Sequence, residues 1–73
     1  MIQTAREFGD IVRTVRKKTG LTQAELAAAC GTGERFVREL EKGKSGCHLE
    51  KALLVASMLG IRIEAITPLS LKE

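Results

Sequence analysis

The sequence predicts an all-α domain of four to five short helices, closed by one β-strand near its C-terminus. Three observations carry this. Apolar residues recur at helical spacing through most of the chain, and Thr-x-x-Glu patterns and glycines mark where the helices start and stop. Over Ile61–Glu64, by contrast, apolar and charged residues alternate, and isoleucines dominate the stretch. The 73 residues make one domain over 1–67 with a short tail over 68–73. A domain near this size buries only about 60% of the surface its unfolded chain exposes, so a partner subunit would help it.

Helix one begins at Thr4, which forms a capping-box pattern with Glu7. Phe8, Ile11, Val12 and Val15 fall on one stripe, while Arg6, Asp10, Arg13 and Lys17 face water. Gly9 inside the helix costs about 1 kcal/mol relative to Ala and marks a close helix contact. Gly20 ends the helix. For Met1 to Gln3 the sequence leaves fraying and docking on a partner equally open.

Helix two opens with a second capping box, Thr22 with Glu25, runs through Gln23, Ala24, Leu26, Ala27 and Ala28, and stops where Gly31 takes a left-handed conformation. Gly31, Thr32 and Gly33 make the turn. Helix three carries Glu34 to Lys42, with Phe36, Val37 and Leu40 on its apolar face and Gly43 as its stop. Small Ala27 leaves room for a crossing helix, and Val37 is placed to press on it. Two short helices joined by a sharp glycine turn form a helix-turn-helix, a unit whose second helix fits a major groove.

After the polar loop from Lys44 to His48, helix four runs from Leu49 to Leu59 with Leu49, Ala52, Leu53, Ala56 and Leu59 on one face. Leu54, Val55 and Met58 widen that face, so it needs cover on more than one side. The strand over 61–67 has no partner in its own chain, and its open N–H and C=O groups need one. A second copy pairing antiparallel across a two-fold axis supplies it, which places Met58, Ile61, Ile63, Ala65 and Ile66 in a homodimer interface.

Twelve Lys and Arg against nine Asp and Glu give a net charge of +3, a mild basic balance whose distribution matters more than its size. Arg13, Arg16, Lys17 and Lys18 cluster in helix one, and Arg35, Arg38, Lys42 and Lys44 recur along helix three and just past it. A charge run is usually a solvated face, and its place on a helix-turn-helix is what points to nucleic acid. No leader pattern and no apolar run approaching 18 residues occurs, which predicts a soluble, cytoplasmic chain without membrane contact. Cys30 and Cys47 read as free thiols, Cys30 as a core residue, and His48 as a loop or helix-start residue and not a metal ligand. No nucleophile with a positioned base, metal spacing or phosphate loop is present, so neither an enzyme nor a cofactor is expected.

The segment resembles the helix-turn-helix of the Cro and phage-repressor (XRE) family, in Thr22-Gln23, Leu26-Ala27, the Gly31 turn, and Val37, Leu40, Glu41 and Gly43. The likeness runs from about Phe8 to about Ile63, and the stretches GTGERFVRELEKGK and LGIRIE are most similar to HipB-like antitoxin regulators. It implies a lambda-repressor-like bundle and a dimer on a palindromic operator of double-stranded DNA, with an interchain strand pair in place of the fifth helix many members carry. An antitoxin role, self-repression of its operon and a HipA-like kinase toxin as partner are further implications. A stand-alone phage-type or metabolic repressor is the nearest alternative, and a protein-interaction module that keeps the fold without DNA is a second, favoured by Glu34 and Glu39 on the reading face.

With Val37 and Leu40 committed to the core, Glu34, Arg35, Arg38 and Glu39 are the candidate base contacts. Arg35 comes first, since its planar fork can bond guanine O6 and N7 together. Glu34 either accepts from cytosine N4 or simply suits a helix N-terminus, Glu39 either touches a base or pairs with Arg35, and Arg38 touches a base or a phosphate. Gln23, Thr32, Gly33, Lys42, Lys44 and Ser45 are the candidate phosphate contacts. The family likeness also implies a structural ion pair between Arg16 and Glu41.

Overall fold

The protein is described over residues 1–69 by a computed structural model, with four helices: α1 (Ala5–Thr19), α2 (Gln23–Cys30), α3 (Glu34–Glu41) and α4 (Leu49–Met58). Both predicted capping boxes close. The Thr4 hydroxyl accepts from the Glu7 N–H and the Glu7 carboxylate accepts from the Thr4 N–H; Thr22 and Glu25 do the same at α2. Each box satisfies two donors that the first turn would leave open. At the start of α4 the His48 ring accepts from the Lys51 N–H, a cap that ties this histidine to the helix start.

The helices surround one small core. Val12, Leu26, Val37 and Val55 are fully enclosed, and Ala27, Cys30, Leu40, Ala52 and Ala56 complete it. Helix α3 packs on both α1 and α2, and α4 packs on α2. Burial pushes the Cys30 thiol above its ordinary range, which makes it a packing residue and a poor nucleophile.

Gly9 makes the close contact predicted for it. A Cβ there would overlap the Leu40 carbonyl oxygen and stand 2.9 Å from that of Glu41, both backbone atoms with nowhere to move. Gly43 is the reciprocal point: its φ is +77°, and a Cβ would lie 2.9 Å from the Arg6 backbone nitrogen. The N-terminal half of α1 therefore lies directly on the end of α3.

Helix α4 departs from expectation. Its buried face is Ala52, Val55 and Ala56, whereas Leu49 is 71% exposed and Leu53 is 43% exposed. Most positions of this helix are apolar, so periodicity alone does not choose which arc faces inward; contact with α2 chooses the arc centred on Val55. Leu53, Leu54 and Met58 are left half-open.

The expected strand is not formed, and no strand occurs among the described residues. Residues 61–67 are neither helix nor strand, because a strand is defined by its ladder and one chain offers no second edge. Arg62 and Glu64 nonetheless pair directly at 2.6 Å, the two-residue spacing of one face of an extended chain. Ile61 is half-buried against its own core, while Ile63, Ala65 and Ile66 are exposed. The tail predicted over 68–73 runs past the described residues. No described helix is long and apolar enough to cross a membrane.

Candidate nucleic-acid interface

The turn sets the geometry of α3. Gly31 adopts φ +69°, and its N–H and that of Thr32 bond back to Ala28 and Ala27. The chain leaves α2 abruptly and restarts at Gly33, which caps α3 without a side chain. The Glu34 and Arg35 amides belong to the first turn, where no intrahelical acceptor exists. Because Val37 and Leu40 are buried, Glu34, Arg35 and Arg38 must face outward, and all three are exposed.

Two groups of charged side chains flank this face. Arg35 Nε donates to Glu39 Oε2 at 3.1 Å, and Lys44 Nζ donates to the same oxygen at 3.2 Å. The hydrogen bonds from Arg35 and then Lys44 hold the Glu39 carboxyl below its ordinary range. Only the Nε of Arg35 is engaged, so its two terminal nitrogens stay free among the described residues, on a side chain 79% exposed. The pairing with Arg35 predicted as one role for Glu39 is formed.

The second group is buried. Arg16 donates from Nε to Glu41 Oε2 at 2.6 Å and from Nη2 to Oε1 at 3.0 Å, a two-pronged pair, while its Nη1 bonds the Leu21 carbonyl at 2.9 Å. Gln23 Nε2 adds a bond to Glu41 Oε1 at 3.0 Å. These four residues join the end of α1, the loop after it, the start of α2 and the last turn of α3. Burial pushes the Glu41 carboxyl up, but the bonds from Arg16 and Gln23 and the charges of Arg16 and Arg13 outweigh it and hold it down. The hydrogen bonds that Arg16 donates to Glu41 raise Arg16 correspondingly. Every buried polar side-chain atom among the described residues has a partner.

The structure brings Gln23, Arg38 and Lys42 to one side of this cluster, Arg35 and Lys44 to another, with Thr32 and Gly33 at the turn and Ser45 exposed in the loop. It also brings in Arg6 and Arg13, which the sequence placed as water-facing residues of helix one, Arg13 within its basic run, and not among the candidate contacts. The signal for them was Gly9: a glycine seating α1 on the end of α3 carries the flanking arginines there as well. Met58, predicted for an interface between copies, is 50% exposed on α4.

Comparison with known proteins agrees with this geometry. The helix-turn-helix family model matches residues 12–66. An uncharacterised HTH-type transcriptional regulator of Sinorhizobium fredii is 42% identical over 67 residues, covering 92% of this chain and 88% of its own. Another, from Archaeoglobus fulgidus, is 40% identical over 53 residues, covering 73% and 76%. Among solved structures, a HipB variant in complex with an O2 20mer superposes with a TM-score of 0.83 at 20% identity, over 93% of this chain and 94% of that one. A chain of the HipA-HipB-O2-O3 complex reaches the same TM-score at 19% identity, over 93% and 96%. At such identities these two show likeness of fold alone. The span of the family match and the identity to the two regulators go further: this chain belongs to the XRE-type helix-turn-helix family.

Proposed function

We propose that the chain is a sequence-specific DNA-binding repressor that acts as a dimer, with α3 of each copy entering one major groove of a palindromic operator. The observation that carries this is the outward face of α3. Arg35 and Arg38 stand exposed on a helix whose opposite side is locked by Val37 and Leu40. Arg35 is held by Nε, which leaves its terminal nitrogens to bond guanine O6 and N7 end-on, while Glu39 acts as its brace. Arg38 and Glu34 flank it on the reading face. Gln23, the Thr32-Gly33 turn, Lys42, Lys44 and Ser45 hold phosphates on either side.

Dimerisation is supported by apolar surface that one chain leaves open: Leu53, Leu54, Met58, Ile63 and Ile66 are all at least 43% exposed. Pairing of residues 61–67 between copies would satisfy their backbone and cover part of that surface. The finer reading, an antitoxin that represses its own operon and binds a HipA-like kinase, rests on the likeness in fold to HipB, which occurs assembled with HipA.

Selection of binding sites from random duplexes tests the central claim. Palindromic winners with half-sites about one helical turn apart, near 34 Å, are expected. Winners without symmetry, or a chain sedimenting as a monomer at micromolar concentration, would remove the dimeric reading.

A further inference from the structure

Where α1 closes on the end of α3, the surface forms an open cleft whose rim carries Arg6 and Arg13 from α1, Arg38 from α3 and Lys42 from its C-cap. Among the described residues none of these four cations lies in an ion pair. The Glu41 carboxylate in the cleft is already committed to Arg16, so Asp10 is the one acid left to offset them. Four like charges facing one uncommitted carboxylate leave an excess of positive charge, and an anion in the cleft would relieve their repulsion.

We propose that this cleft grips the DNA backbone beside the half-site, Arg6 and Arg13 each neutralising a phosphate outside the base pairs that α3 reads. The inference rests on the DNA-binding reading above. Spacing favours a polyanion over a single small anion. Arg6 and Arg13 are two helical turns apart, about 10 Å along α1, whereas one strand of a duplex advances about 3.4 Å per nucleotide. The two guanidinium groups therefore meet different phosphates. The cleft is also continuous with the reading face, because Arg35, Arg38 and Lys42 follow one another at helical spacing along α3. Phosphate contacts of this kind set affinity and register and carry no sequence information.

The test compares the full chain with an Arg6→Gln/Arg13→Gln variant on two duplexes, one trimmed to the selected site and one extended by several base pairs on each side. On the extended duplex the slope of log affinity against log salt should flatten by about 0.9 for each phosphate that the variant no longer neutralises. The selected sequence should stay the same, the trimmed duplex should show little difference, and Arg6→Lys/Arg13→Lys should restore the slope. In the wild-type complex, ethylating phosphates outside the half-sites should interfere with binding, a readout that needs no variant. An unchanged slope, an equal loss on both duplexes, or full tolerance of flanking ethylation would overturn the proposal while leaving the DNA-binding reading intact. A wild-type chain that binds no duplex would overturn both.

Discussion

Arg16–Glu41 and Arg35–Glu39 join the same two side-chain types within one small domain, yet they differ in almost every physical respect. The first pair is buried, two-pronged and 2.6 Å at its shortest, and it shares its carboxylate with Gln23. The second is a single bond of 3.1 Å between neighbours on one helix, with the arginine in water. A buried charge left without its partner cannot turn to solvent, so the first pair is bound up with folding. Either member of the second pair can be solvated in place of its partner, so the pair adds little to stability and its arginine remains available to a ligand. Burial, more than the identity of the residues, decides which pair holds the fold and which one leaves its arginine open to a ligand.

The largest expected effect breaks the first pair. Arg16→Ala or Glu41→Ala should each cost about 3–5 kcal/mol, because each strands the other charge, and a thermal melt would show it. Replacing both with apolar residues of similar volume should recover much of that loss; a double variant no better than the singles would contradict the account. Acid should weaken the same pair. Glu41 titrates lower in the folded chain than in the unfolded one, so its contribution is full above the ordinary carboxylate range and fades as pH falls through the depressed value. Arg16 is raised, so its share is present throughout and fades only in strong alkali. Denaturation midpoints measured on acidification should therefore drop less steeply in Glu41→Gln than in the wild type.

The second pair should respond in binding and not in melting. Arg35→Ala is expected to lose about 1–3 kcal/mol of discrimination at one base position, read by competition between operator variants, with its melt unchanged. Glu39→Gln removes the brace and keeps the arginine. A smaller loss of preference at that same position is expected, again with no change in the melt. A shift of preference to a different base position would show that Glu39 touches a base itself.

The parts of the fold legible in the sequence depend on neighbours along the chain. Thr4 with Glu7 and Thr22 with Glu25 act over three residues, and Gly31 ends its helix by its own conformation, so composition and spacing suffice to place them. The exposure of Arg35 and Arg38 is equally legible, since it follows from the burial of Val37 and Leu40 on the opposite side of a regular helix. The exposure of Leu49 is not, because α4 is apolar around most of its circumference and only contact with α2 selects the buried arc. Nor is the missing strand, because a ladder needs an edge that 61–67 does not find in one chain.

Taken by itself, the order of residues determined where helices begin and end, which face of α3 is turned outward, and that the chain carries a helix-turn-helix. Each of these is a short-range matter of caps, glycines and helical period. Tertiary structure alone decided that α1 lies close enough to the end of α3 to bring Arg6 and Arg13 beside Arg38 and Lys42, and that Gln23 joins the Arg16–Glu41 pair expected from the family likeness. Such placements depend on the angle and distance at which helices cross, and those are set by packing at points such as Gly9 and Gly43, where a single added carbon would force the backbones apart.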